Sequence, residues 1–157
     1  MYSLFIRNLI FTILQPGIVA GLIPYLIVKG HLTDNSFIQF RSWQYAGIIL
    51  FVSGLLILTS CIISFAVKGN GTLSPADPTK KLVVSGLYRY SRNPMYVGVM
   101  LILTGEAIFF PSVGLLIYLI LVFIAFNAFI ILAEEPRLRK DFGGAYSAYC
   151  ERVGRWI

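Results

Sequence analysis

The feature that most constrains this chain is the segment 45–67, which contains no Asp, Glu, Lys or Arg. As a helix rising about 1.5 Å per residue it reaches roughly 35 Å, more than the ~30 Å of a bilayer's hydrocarbon core. In lipid every backbone N–H and C=O must be satisfied by the protein itself, which a helix achieves within one segment. Further apolar stretches stand at 8–28, 94–110 and 113–133. The sequence therefore predicts an all-α integral membrane protein of about four transmembrane helices, in a single domain over residues 1–157.

Composition points the same way. Charged residues make up 13% of the chain and hydrophobic ones 57%, whereas a soluble domain carries roughly 25% charged residues. The net charge of +6 has a membrane explanation, because Lys and Arg accumulate in cytoplasmic loops. Arg7, five residues of the 68–93 loop and five of the 134–157 tail fall on one side, against Lys29 and Arg41 on the other. Both termini are thus expected on the cytoplasmic side, as an even number of spans requires. No soluble basic domain exists to hold nucleic acid. His31 is the only histidine, and Cys61 and Cys150 lie in unlike surroundings. Neither a metal site nor a disulfide framework is expected.

Pro16 and Pro24 predict a kink in the 8–28 span, which lacks a small-residue cleavage site and reads as a retained helix. Gly17 and Gly21 give it a spacing that permits close helix contact. Pro111 and Ser112 leave only a short turn between the last two spans, which forces an antiparallel hairpin. In the tail Leu138, Phe142, Tyr146, Tyr149, Val153 and Trp156 recur at helical spacing, interrupted by Gly143 and Gly144. That is the stripe of a C-terminal amphipathic cytoplasmic helix, either a surface anchor or a lid over a site at the ends of the spans. Trp156 suits a membrane interface.

The chemistry-bearing residues gather at two places. Asn93 followed by Pro94 is a helix-start signal, with Asn as N-cap and Pro at the first position. The free N–H groups of that start make an anion site, with Arg89 and Arg92 beside it, Tyr96 in the first turn and Gly98 open to close approach. The plainer reading is an interfacial helix start with snorkelling arginines. The second place is Glu134-Glu135-Pro136, at the end of the fourth span. Either the helix breaks there and Pro136 opens a new one, or a carboxylate is held at the membrane edge to bind a cation. The hairpin puts both places at one end, where a zwitterion would set its carboxylate near Asn93 and its ammonium near Glu134. Glu106 falls near mid-bilayer, where its charge is costly. It is expected to pair with Asn127 across helices, or with it to line an acceptor pocket.

Residues 71–75 (GTLSP), 82–98 (LVVSGLYRYSRNPMYVG) and 134–138 (EEPRL), with Phe142, Gly143, Tyr146, Tyr149 and 153–157 (VGRWI), occur in an order that is specific in combination. Over roughly residues 45–157 the chain resembles the superfamily of isoprenylcysteine carboxyl methyltransferases and phospholipid methyltransferases. The resemblance implies S-adenosyl-L-methionine bound between the last two spans, the preceding loop and the tail. By position, Asn93, Pro94, Tyr96 and Gly98 line the cofactor site, with Glu134 and its neighbour Glu135 meeting the cofactor's positive charge. Leu82, Val83, Gly86 and Tyr88 shape the loop wall, and Tyr146 and Tyr149 close the tail over it. Arg92 and Glu134 are the catalytic candidates. Two departures stand out. Many members of the family carry His where this chain has Asn93, which caps and donates but is no general base. The isoprenylcysteine enzymes carry arginine in the helix before the double Glu, where residues 126–133 here have none.

The expected activity is S-adenosylmethionine-dependent methyl transfer to a lipophilic or lipid-linked acceptor in contact with membrane lipids, without metal. It is either carboxyl O-methylation of a prenylcysteine-like substrate or N-methylation of a lipid head group. The alternatives are a small carrier or channel with Glu106 and Asn127 lining its path, and a non-catalytic scaffold of the same fold.

Overall fold

The computed structural model describes residues 16–30, 41–68 and 82–157. The start of the first apolar stretch, His31 and the segment 71–75 lie outside the described residues. The described elements are α1 (Ile18–Val28), α2 (Ser42–Lys68), a 3-10 turn (Gly86–Arg89), α3 (Pro94–Phe109), α4 (Val113–Phe129) and α5 (Glu135–Arg152). Among the described residues there is no strand.

Among the described residues two helices are long and apolar enough to cross a membrane: Ser42–Ser64, and the one that opens at Val113. Only 22% and 17% of their apolar windows are buried inside the protein, so they are not the core helices of a soluble domain. Leu116, Ile117, Ile120, Leu121 and Ile124 of α4 face outward. A helix apolar on every side needs lipid around it. α1 and α3 are apolar but shorter.

The closest pairing is α2 with α3, antiparallel, through two glycine contacts. A Cβ on Gly105 would lie 2.6 Å from the Gly47 carbonyl oxygen, and one on Gly54 would lie 2.6 Å from that of Gly98. Such contacts let the backbones touch, which is how helices associate tightly in lipid. Leu58 of α2, Val99, Ile102 and Leu103 of α3 and Val122 of α4 form the buried core, with Val19 and Ala20 of α1 packed on it. Gly17 and Gly21 do not make the expected close contact: nothing among the described residues lies within 4 Å of where their Cβ atoms would be.

Both internal prolines follow a π turn by two residues. Ile18–Leu22 precedes Pro24 and Ile130–Glu134 precedes Pro136. A proline ring in an α-helix strikes the carbonyl four residues back, and the wider i→i+5 turn moves that carbonyl away. In the π register the carbonyl left without its donor by Pro24 is that of Val19. The Tyr118 hydroxyl donates to it at 2.8 Å, tying α4 to α1. At Pro136 the helix does not break: Glu134 (φ −77°, ψ −51°) and Glu135 (φ −61°, ψ −44°) are helical, and α4 runs through into α5. The interruption comes at Gly143 (φ 49°, ψ −123°), a left-handed position that suits glycine.

The turn at Pro111 and Ser112 folds α3 and α4 into a hairpin. Tyr96 at the start of α3 meets Phe126 near the end of α4, ring centroids 4.6 Å apart. Arg92, Arg137 and Arg155 gather at this end, whereas Arg41 precedes α2 at the other. Glu106 sits in the last turn of α3, beside the hairpin turn rather than at mid-depth.

Candidate functional site

At the basic end four segments converge: the 82–93 loop, the start of α3, the α4–α5 junction and residues 153–157. The loop turns at Gly86, whose φ of +68° favours glycine, and the 3-10 turn that follows buries Tyr88. Tyr88 hydrogen-bonds Cys61 of α2 and lies within electrostatic reach of Tyr96 and Glu134. Burial pushes its hydroxyl well above the usual tyrosine range.

Tyr96 donates its hydroxyl to Glu134 Oε2 at 3.0 Å. Burial raises the Glu134 carboxyl above its ordinary value, partly offset by that hydrogen bond and by the nearby Arg137 guanidinium. Arg137 Nε is itself buried without a hydrogen-bond partner among the described residues. Glu134, Tyr96 and Arg137 thus form a group of one carboxyl, one hydroxyl and one cation.

Glu135 is different. Its carboxylate accepts two hydrogen bonds from Arg155, at 2.8 and 3.1 Å, and faces Arg92 Nη1 at 3.2 Å. Arg155 first, and Arg92 with it, hold this carboxyl below its ordinary value. In return Glu135 raises the Arg155 guanidinium. Two neighbouring acids are thereby pushed in opposite directions, the usual sign that they have different tasks.

The last residues cross back over this end as a strap. The Arg92 N–H donates to the Gly154 carbonyl at 2.9 Å, and Asn93 Nδ2 to the Arg155 carbonyl at 3.0 Å. Asn93 is the N-cap residue of α3 by position, with Pro94 following, but its side chain makes no capping bond because it holds the strap. Arg92 Nη1 also donates to Cys150 Sγ at 2.8 Å. The Tyr149 hydroxyl donates to the Tyr88 carbonyl at 2.6 Å. Tyr146, Tyr149 and Val153 are buried against Leu82, Leu138 and Phe142, so the apolar stripe of the tail faces the protein. Burial pushes the Tyr146 and Tyr149 hydroxyls up to about 12.

The sequence-derived residues therefore divide by place. Tyr88, Tyr96 and Glu134 come together. Arg92, Asn93 and Glu135 bind the strap, Arg92 and Glu135 also pair with each other, and Leu82, Tyr146 and Tyr149 pack the tail onto the loop. Val83 is half-buried in that loop, and Pro94 is buried at the helix start. The close approach that Gly98 permits is that of α2. The expected Glu106–Asn127 pair is not formed. Asn127 Oδ1 accepts from Trp156 Nε1 at 3.1 Å, and the Trp156 ring lies 5.2 Å from that of Phe123. Sequence reasoning missed Arg137, Arg155 and Cys150. Arg137 had a signal, standing three residues after Glu134 on the same helix face. Among the described residues no three His, Cys, Asp or Glu side chains gather to hold a metal ion.

A largely buried carboxylate beside a guanidinium whose Nε has no hydrogen-bond partner among the described residues suits a ligand carrying both charges, such as an amino acid group. The Tyr96 hydroxyl fixes the acid's orientation. Comparison with curated proteins and with solved structures gives no match. The sequence model for phospholipid methyltransferases matches residues 43–145, from the start of α2 through the hairpin and into α5. The match takes in Tyr88, Tyr96, Glu134 and Arg137, and with the two outward-facing apolar helices it makes this a membrane protein. The chain belongs to the phospholipid methyltransferase family.

Proposed function

We propose that this protein transfers a methyl group from S-adenosyl-L-methionine to a lipophilic or lipid-linked acceptor at the basic end of the helix hairpin. The observation that carries the proposal is the Tyr96–Glu134 contact with the Arg137 guanidinium beside it. Glu134 takes the donor's ammonium and Arg137 its carboxylate. Tyr88 and Tyr96 wall the pocket, and Tyr146 and Tyr149 hold the tail over it. In this reading the chain crosses the membrane four times with both termini and this site cytoplasmic, which the gathering of Lys and Arg at this end supports.

The cofactor supplies a methyl group on a positively charged sulfur, so no covalent nucleophile is needed from the protein. The protein's part is positional. Glu134 and Arg137 fix the donor, the strap and the α5 tyrosines exclude water, and the outward apolar face of α4 delivers the acceptor from lipid. A proton given up by an amine acceptor would leave to bulk water beyond the strap, whereas a carboxylate acceptor gives up none. The acceptor is a lipid head-group amine or the carboxyl of a prenylcysteine-like molecule.

Methyl-labelled donor incubated with the purified protein and a membrane lipid extract tests this. Label in an organic-soluble product, lost in Glu134→Gln, is the expected result. Absence of labelled product from every extract, with folded wild-type protein, overturns the proposal.

A further inference from the structure

At the end opposite the candidate site, a cavity of about 310 Å³ opens between α2 and α3. It is lined by Ile48, Phe51, Phe109 and Phe110 around the Gly47–Gly105 contact, with Glu106 as its one ionisable side chain. This volume is at the lower end of the range for small-molecule sites, about 300–1,000 Å³. Glu106 Oε2 is fully buried and has no hydrogen-bond partner among the described residues. The polar side chains around it are engaged elsewhere. The Tyr118 hydroxyl donates to the Val19 carbonyl, Gln44 Nε2 to that of Phe109 and Thr104 Oγ1 to that of Met100. A buried carboxylate oxygen beside an apolar cavity, without a partner among the described residues, marks a functional position.

We propose that this cavity binds a lipophilic primary amine, its ammonium group paired with Glu106 and its hydrocarbon against Ile48 and the phenylalanines. An ionised carboxylate in low dielectric is stabilised by an opposite charge brought into contact, and aromatic walls favour a cation further. An uncharged alcohol supplies a hydrogen bond but no counter-charge, which sets the specificity. The site is separate from the one proposed for methyl transfer. Ten residues of α3, about 15 Å of helix, divide Tyr96 from Glu106. The amine has two sources, a free alkylamine or the head group of an aminolipid.

The test uses the full chain in phosphatidylcholine nanodiscs without methyl donor, titrated with radiolabelled octylamine against empty discs. Saturable binding is expected, weakened at least tenfold in Glu106→Gln and in Ile48→Trp, which fills the mouth from a half-exposed position. Octanol is expected not to displace the amine. Thermal unfolding checks that each variant is folded, and Ile48→Trp serves if Glu106→Gln is not. Adding phosphatidylethanolamine to the discs identifies the source: displacement of octylamine assigns the site to a lipid head group, retention to a free amine. Equal binding by folded Glu106→Gln and wild type, or displacement by octanol as effective as by unlabelled octylamine, overturns the proposal.

Discussion

Replacing Gly105 by Ala puts a methyl group where the opposing helix already stands. Its Cβ would lie 2.6 Å from the Gly47 oxygen and 2.7 Å from the Phe51 nitrogen, both backbone atoms that no rotamer change can move. Carbon contacts settle near 3.5 Å, so α2 and α3 must separate by roughly 0.9 Å. A gap of that size forfeits about a quarter to a half of the dispersion along the seam. Overpacking of this kind costs about 1–3 kcal/mol, offset by about 1 kcal/mol from alanine's better helix propensity. The expected net loss is about 0–2 kcal/mol against wild type, and about 1–3 kcal/mol against a glycine-to-alanine change that meets no clash, read by reversible unfolding in mixed micelles. Gly21→Ala is the matched control, because nothing lies within 4 Å of its Cβ position, and it should be neutral or slightly stabilising. Gly105→Ala as stable as Gly21→Ala, or more so, would refute the claim that the α2–α3 glycines hold the fold together.

The remaining predictions concern the basic end. Glu135→Gln should lose about 2 kcal/mol of stability at neutral pH, since it removes the acid from a largely buried cluster whose Arg155 remains a third exposed. Because the folded protein holds Glu135 below its ordinary value of 4.5, that contribution is complete above 4.5 and disappears as pH falls through the lower value. Melting temperature followed on acidification should therefore converge for wild type and Glu135→Gln. Trp156→Phe removes the donor to Asn127 and should cost about 1 kcal/mol, seen as faster proteolysis of the C-terminal strap at unchanged helix content. Donor binding to Glu134 should weaken on acidification at a pH above 4.5, because its folded value is raised, and the weakening should vanish in Glu134→Gln.

Much of the helical pattern was legible because lipid imposes it. An uncharged apolar run of this length has one low-energy backbone, and α2 spans Ser42–Lys68 where the sequence places a helix over 45–67. The hairpin followed from Pro111 and Ser112, and it brings Tyr96 to Glu134. Glycine contacts were harder to read. The real seam uses Gly47 with Gly105 and Gly54 with Gly98, seven residues apart on each helix, whereas the four-residue spacing of Gly17 and Gly21 looks stronger in one dimension. The continuity of α4 into α5 was also hidden, because Pro136 after two acids resembles a fresh helix start. A π turn is a backbone solution that no residue type announces. The strap was the least legible part. Asn93 fits an N-cap by local preference, yet Arg155, some sixty residues later, takes its amide, and Trp156 takes Asn127 in the same way. Such pairings depend on where the chain end crosses, which spacing cannot show.

Methyl transfer at this end requires one small charged group to fit between Glu134 and Arg137. Equilibrium binding of radiolabelled S-adenosyl-L-methionine to the purified, folded protein measures this most directly. Saturable binding to wild type, reduced at least tenfold in Glu134→Gln and in Arg137→Ala and unchanged in Glu106→Gln, is the predicted result. Failure of wild type to bind, or equal losses in all three variants, would contradict it.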